Sequence, residues 1–564
     1  MDDESAAAPV NRLARAIPIL DWLPHYQRGD LRGDVVSGLT GAAILVPQSM
    51  AYATIAGLPP IVGLYASVVP VLVYAVLGSS PQLSVGPLAT ISIIAAVALA
   101  KLAPAGSAEY VAFAATLAVL VGGVHLVLGW GRLGFLVRFL SEPVMSGFIG
   151  AVGVIIITTQ LGPFFGFAVP SDPLPIETVV GWIDRLDETS AVTLAVSVST
   201  LVVLLAVRRY RRLPSALLAV VGWSIAAYAF DLDEHGVALI GHVPQGLAGP
   251  AWPPFDWHAV RVLLPAALAI TFVGFVESLA IEREYAREHG YRITPNHELV
   301  ALGSANVAAG LFQGMIVTGA VTRSSIVDAA GARTQLSGAI TALVVAPLLV
   351  FWTDGFSYIP VCVLAVIVIV AVLGFVHVAE ARRLWRVERT DFWLMIGAFA
   401  STIGLGVEFG VLVAVAASIV VVVYRATNPR VPELGRLPGT YALVELARHP
   451  EAETFVASVI VRPESPLYFT NAETVDRHLR AALDRDDTRM LVVDMSGADQ
   501  LDATADHMLR DLVTAYVPLG RRVLFVHVHD DVRDVMDASG LAAMVGDDAF
   551  LATDHDAITR LESP

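Results

Sequence analysis

"VTGAVTRSSIV", residues 317–327, ends one apolar stretch and begins another, with Arg323 at the junction. A charge at the centre of a membrane helix costs roughly 2.5–3.5 kcal/mol on insertion scales. Thr318-Gly319 weakens any helix entering from the N-terminal side, so the segment is expected to run extended and then start a short helix mid-membrane. A second stretch, "SVGPLATISIIAA" (84–96), does the same with Gly86-Pro87. Interrupted segments at matching places in two halves of a chain point to a transporter's binding site. Facing half-helix N-termini present free N–H groups and positive dipole ends, which favour an anion. Arg323 is then tolerable as part of the site. The bland reading is an arginine that pairs with Asp328, Glu277 or a carbonyl and only braces helices.

The rest of the chain supplies the setting. Its 564 residues are 55% apolar with mean hydropathy +0.67, which excludes an ordinary soluble protein. About 20 apolar residues make one crossing, and fourteen apolar segments are found, near 34–56, 61–78, 85–101, 109–129, 134–162, 190–208, 213–230, 260–281, 297–313, 318–331, 336–352, 357–376, 390–405 and 407–424. The two interrupted segments are third and tenth, equivalent positions in two halves of seven. The opening "MDDESAAAPVNRLARAIPIL" is expected to hold no cleavable signal, because no apolar core follows its charges. The single cysteine, Cys362, leaves no disulfide within the chain and no thiolate metal cluster.

Arginines sort by side. Arg12, Arg15, Arg28 and Arg32 precede the first segment; Arg132 and Arg138 follow the fourth, and "RRYRR" (208–212) the sixth. "EREYAREHGYR" (282–292) follows the eighth, Arg333 the tenth, "RRLWRVER" (382–389) the twelfth and Arg425 the fourteenth. All fall on one side, while the other receives "DLDEH" (231–235), Asp354 and few arginines, chiefly Arg185 and Arg261. Cytoplasmic loops hold the excess of basic residues, so both termini are expected in the cytoplasm of a multi-pass cell-membrane protein.

Beyond "NPRVPELGRLPGT" (428–440) the composition changes: residues 431–564 hold 24 acidic groups against 12 arginines. Runs at 454–462, 490–496 and 521–529 predict strands, and 471–485 and 503–517 predict amphipathic helices. Alternating strands and helices make a small α/β domain. The expected parts are an N-terminal cytoplasmic segment (1–33), a transmembrane domain (34–426), a linker (427–439) and a cytoplasmic domain (440–564).

Other residues could carry chemistry. In the first segment Pro47 frees a carbonyl, Gln48 offers a donor and an acceptor, and Tyr52 lies one turn on along the same face. They could equally be a kink and a packing hydrogen bond. Glu277, in "ITFVGFVESLAIE", is a second intramembrane charge. A carboxylate beside an anion site repels the substrate unless a proton or Na⁺ neutralises it; the alternative is a permanent ion pair with Arg323. Glu142 and Glu408 lie near helix ends and His125 within the fourth segment, all read as structural. No P-loop, zinc spacing or catalytic triad occurs, so the chain is not expected to be an enzyme, to hold a cofactor or resident metal, or to bind nucleic acid.

"DVVSGLTGAAILVPQSMAYATIAGLPPIVGLYAS" with "YAVLGSSPQLSVGPLATIS" resembles the signature region of the sulfate permease family. "HELVALGSANVAAGLFQGMIVTGAVTRSSIVDAAGARTQLSG" (297–338) is similar to its ninth and tenth spans, and "SPLYFTNAETVDRHL" with "LVVDMSG" to its STAS domain. The resemblance implies a fourteen-segment α-helical membrane protein, a seven-plus-seven inverted repeat with core and gate domains, and a C-terminal α/β STAS domain. It implies an anion held by Gln48, Tyr52, Leu88, Ala89, Val321, Thr322 and Arg323. The family often has an aromatic where Leu88 stands. Cation-coupled bacterial members carry a carboxylate where Glu277 stands, which implies H⁺ or Na⁺ coupling, with Na⁺ near Glu277 in the second case. A homodimer among membrane lipids, with the STAS domain at or near the protomer interface, is likewise implied. In the soluble relatives a phosphorylated serine follows an Asp at a helix start; here Ala503 and Thr504 follow Asp502, which argues against that switch and leaves capping or packing for Thr504.

Secondary active transport of sulfate or bicarbonate is therefore expected. An uncoupled exchanger or channel, a dicarboxylate carrier and a membrane-tethered sensor stay open. Sulfate's two charges could be met by one arginine and two helix ends of about half a charge each.

Overall fold

The computed structural model describes residues 17–135, 141–167, 175–207, 215–254, 256–375 and 378–562. Arg12, Arg15, Arg138 and the run 208–212, used above for sidedness, lie outside the described residues, as does the side chain of Glu408. Two compact units emerge, Met1–Ser418 and Ile419–Pro564.

The first unit is helical. Its elements are α1 (Leu31–Ile55), α2 (Pro60–Tyr65), α3 (Val69–Leu77), β1 (Val85–Gly86), α4 (Ala89–Leu99), α5 (Ala108–Trp130), α6 (Glu142–Phe165), α7 (Pro175–Ile183), α8 (Ala191–Val207) and α9 (Ser215–Ala229). There follow α10 (Trp257–His289), α11 (Pro295–Leu311), β2 (Thr318–Gly319), α12 (Val321–Ala329), α13 (Leu336–Phe351), α14 (Val361–Val372), α15 (Val378–Val387), α16 (Arg389–Leu405) and α17 (Val407–Thr427). Each of the fourteen apolar segments carries a helix. Among the described residues, six stretches are long and apolar enough to cross a membrane: α1, α2 with α3, α5, α6, α10, and 361–387.

Two differences from the expectation have local causes. The arginine run at 382–389 is mostly helix, not loop: in α15 Leu384 is buried, Trp385 exposed, and Arg383 pairs with Glu380 at 3.2 Å. Charge alone says loop; charge with one apolar stripe says amphipathic helix. Likewise α10 runs through the charged "EREYAREH" to Gly290, whose positive φ of 76° ends it in a left-handed cap. At 33 residues it is about 50 Å long, well beyond a hydrocarbon core of about 30 Å.

Close backbone approach sets the packing around the site. α5 lies along α11, and a Cβ added at Gly122 would meet the Val307 nitrogen at 2.6 Å and the Gly303 carbonyl at 2.7 Å. Gly303 and Gly310 are similarly confined by Gly122 and Ala115. Small residues allow such contact between helices that lipid does not drive together. Elsewhere α1 packs on α13, and α6 on α16 and α14.

The second unit holds a six-stranded sheet in the order β4-β3-β5-β6-β7-β8, formed by β3 (Glu433–Arg436), β4 (Leu443–Glu445), β5 (Ser458–Val461), β6 (Met490–Asp494), β7 (Arg522–Val526) and β8 (Phe550–Leu551). β5 to β8 are parallel; β3 is antiparallel to β4 and β5. Leu491, Val493 and Phe525 point to one face, under α18 (Ala472–Leu483) and α19 (Ala503–Tyr516), and Val492, Leu524 and Val526 to the other. Both faces are apolar, as a parallel sheet covered on two sides requires. β3 falls within 427–439, the residues expected to be linker, so that stretch contributes a strand.

Candidate functional site

The third and tenth segments meet as expected of interrupted helices. Val85 pairs with Gly319 and Gly86 with Thr318 in an antiparallel two-strand ladder. Extended Leu88 (φ −139°, ψ 145°) leads into α4, and extended Ala320 (φ −126°, ψ 124°) into α12. Neither residue caps its helix with a side-chain hydrogen bond. Each start therefore presents first-turn N–H groups that no intrahelical carbonyl can reach.

Other helices hold this ladder in place. Ser278 of α10 accepts from the Gly319 N–H at 2.9 Å and shares a 2.9 Å hydrogen bond with Thr318, whose hydroxyl also donates to the Gly274 carbonyl at 2.8 Å. Asn306 of α11 accepts from the Val317 N–H and donates to the Val317 carbonyl, both at 2.9 Å. The Ser84 N–H donates to Ser324 at 2.9 Å. Sequence reading missed Ser278, Asn306 and Ser324, because a lone serine or asparagine on an apolar helix carries no periodic signal.

Arg323 is 1% exposed. Its Nη1 donates to the Pro87 carbonyl at 2.8 Å, at the mouth of the opposite half-helix, and to Gln48 Oε1 at 3.3 Å. Nε and Nη2 are buried and have no partner. Gly86 makes room, since a Cβ there would stand 3.2 Å from Nη2. Among the described residues no ion pair joins Arg323 to Glu277 or Asp328; Asp328 pairs with His289 at 2.8 Å. Of the bracing partners considered from sequence, the carbonyl is the one present, and it takes only part of the guanidinium's donor capacity.

Gln48, Tyr52, Leu88 and Ala89 are buried, and Tyr52 lies within reach of Arg323's charge. Val321 is 63% exposed and Thr322 is also exposed. Glu277 is half-buried and accepts from Thr90, in the first turn of α4, at 3.3 Å. The tip of the third segment is thus touched from α12 by Arg323 and from α10 by Glu277. His125 is buried, with Nδ1 2.9 Å from the Val121 carbonyl of its own helix, and Glu142 sits in the first turn of α6. In the second unit Asp502 caps α19 through the Ala505 N–H at 2.9 Å; Thr504, expected to cap or pack, is exposed, and the cap is Asp502's.

The family model described as the sulfate permease family matches residues 31–398, and that of the STAS domain matches 448–557. The chain belongs to the sulfate permease family. This family member is a multi-pass membrane transporter, not an enzyme, with a C-terminal STAS domain. It is 35% identical over 562 residues to the chloroplastic sulfate transporter 4.1 of Arabidopsis thaliana, covering 96% of this chain and 82% of that one. It is 35% identical over 541 residues to a probable sulfate transporter of Mycobacterium tuberculosis, covering 94% and 96%. Among solved structures, the murine solute carrier 26 family member A9 anion transporter in its inward-facing state superposes with TM-score 0.89 at 26% identity, over 100% of this chain and 97% of that one. The transmembrane domain of a cyanobacterial bicarbonate transporter, BicA, shares the fold at TM-score 0.61 and 24% identity, over 70% of this chain and 98% of that one.

Proposed function

We propose that the protein moves a small inorganic anion, sulfate or bicarbonate, across the cell membrane, bound where α4 and α12 meet. The observation that carries this is Arg323: fully enclosed, spending one nitrogen on Pro87 and Gln48, with two more nitrogens unpartnered between two uncapped helix starts. Leaving buried donors of a charged group unsatisfied costs more than about 1–3 kcal/mol, and an anion would supply the missing acceptors. Gln48, Tyr52, Leu88, Ala89, Val321 and Thr322 line the site in this reading, and the exposed Val321 and Thr322 mark its entrance. The relatives named as sulfate transporters support the substrate class.

Transport is coupled in this reading to H⁺ or Na⁺ through Glu277. A carboxylate hydrogen-bonded to the first turn of α4 opposes an anion there until a cation neutralises it. In this reading residues 34–426 form the transport domain and 440–564, together with β3 before them, the STAS domain; both termini lie in the cytoplasm, and the carrier is a homodimer with the STAS domain near its interface. Flux into liposomes tests the whole, using labelled sulfate, bicarbonate and a dicarboxylate, each with and without a pH or Na⁺ gradient. Gradient-driven accumulation of one of the first two is expected. Exchange that ignores both gradients would make the protein an uncoupled exchanger, and accumulation of the dicarboxylate alone would change the substrate.

A further inference from the structure

A second pair of carboxyl groups lies away from the anion site. Glu282 of α10 and Glu298 of α11 are both fully buried. Tyr74 of α3 sits between them, its hydroxyl 3.2 Å from Glu282 Oε1 and 3.0 Å from Glu298 Oε2. Ser79, in the loop leading to β1, donates to Glu298 Oε1 through its N–H at 2.9 Å and through its hydroxyl. The one tyrosine hydroxyl is thus shared by both carboxyls, and Glu282 Oε2 is a buried oxygen without a donor. Among the described residues neither carboxyl has an ion-pair partner within 4.0 Å. Arg283, exposed at the next position of α10, is the cation whose field reaches Glu282. Tyr291 is the further titratable neighbour, held by Ser80 and Gln82 at 2.9 Å each. His297, next to Glu298, has Nε2 2.7 Å from the Leu77 carbonyl.

Counting hydrogens shows what is missing. Glu298 receives two donors from Ser79 and so is served as a carboxylate. Tyr74 has a single hydrogen to give, and Glu282 has no other donor. Two anionic carboxylates that share one hydroxyl out of water repel strongly, and like-charged pairs relieve this by holding one proton. We propose that Glu282 and Glu298 bind one proton between them, with Glu282 as the acid. The site is separate from Glu277, five residues earlier on α10, and stands whether or not Glu277 couples transport. An occupied site ties α3, α10, α11 and the loop before β1 into one unit. Loss of the proton puts two negative charges at that junction.

Infrared spectroscopy of the purified full-length protein tests this through the C=O band of a protonated carboxylic acid, identified by its shift in D₂O. At neutral pH the wild type is expected to show such a band, to lose it in Glu282→Gln and to keep it in Glu277→Gln. A wild type without the band, or a band untouched by Glu282→Gln, overturns the proposal. If Glu282→Gln does not fold, Glu298→Gln decides: replacing the neighbouring charge by a neutral amide should move the band to higher frequency, and an unmoved band overturns the assignment. Thermal melts add a second readout. An acid neutral in the fold but ionised in the unfolded chain makes stability fall as pH rises. That fall should be weaker in Glu282→Gln; an identical slope also counts against the site.

Discussion

At the scale of single residues, Arg323 braces the Pro87 carbonyl and, in the proposed reading, also binds the anion, two roles that a mutation separates only in part. Arg323→Ala should lower anion affinity by roughly 10- to 100-fold, the equivalent of about 1.5–3 kcal/mol for a charge-assisted hydrogen bond. It also leaves the Pro87 carbonyl without its donor, so a lower melting temperature without anion should accompany the loss. Arg323→Lys keeps the charge but not the fork of donors, and should recover less than half of the lost binding energy. Unchanged affinity in a well-folded Arg323→Ala protein would refute the site. Thr322→Val, which removes one exposed hydroxyl, should cost less. Glu277→Gln should abolish gradient-driven accumulation while anion exchange across liposomes persists, because glutamine keeps the bond from Thr90 and removes the charge. Accumulation with unaltered dependence on pH and Na⁺ would clear Glu277 of coupling.

At the scale of elements, what matters is how firmly the two half-helices are held. Ser278→Ala removes the acceptor of the buried Gly319 N–H, a loss of about 1–3 kcal/mol. It should weaken anion binding without touching any residue of the proposed site, measured as affinity beside a melt. The α5–α11 seam gives a sharper contrast. Gly122→Ala forces a methyl group against the backbone of α11 and should destabilise by about 1–3 kcal/mol. A Cβ at Gly123, one position on, meets nothing within 4 Å. Gly123→Ala should therefore be neutral, or stabilising by up to about 1 kcal/mol. Equal melts for the two variants would mean the seam is not under contact.

For the molecule as a whole, the place to cut the chain follows from β3. Leu434 is 2% exposed and sits in a strand paired with β4 and β5. A chain ending at 440 keeps that strand without partners, leaving its backbone hydrogen-bonding groups and Leu434 uncovered, and unpaired strand edges invite aggregation. A chain ending at 428 keeps α17 and leaves no strand behind. It should fold and bind anion, since every proposed site residue precedes it. The two truncations are compared by size-exclusion profile and anion binding; a folded 428 protein that binds no anion would place part of the site in the C-terminal unit.

How much of this could be read from the chain alone depended on how local each cause was. In a membrane every backbone polar group must be satisfied within the protein, so a run of apolar residues becomes a helix whatever its neighbours are, and all fourteen segments could be read in order. Gly86-Pro87 and Thr318-Gly319 interrupt helices by their own backbone chemistry, which located both half-helix starts. Nothing local told Arg323 that its partners would be Pro87 and Gln48, the latter 275 residues away in sequence. Nothing local distinguished Glu282 from the exposed charges that follow it: it read as the first residue of a cytoplasmic loop and is fully buried, because α10 continues and α3 and α11 close over that face. β3 was hidden for the same reason. A four-residue strand flanked by Pro432 and Pro438, with a glycine inside it, becomes one only when β4 and β5 supply its hydrogen bonds. The sequence determined the spans and where two of them break; tertiary structure alone decided which buried charges have partners, because partnership depends on faces brought together from distant parts of the chain.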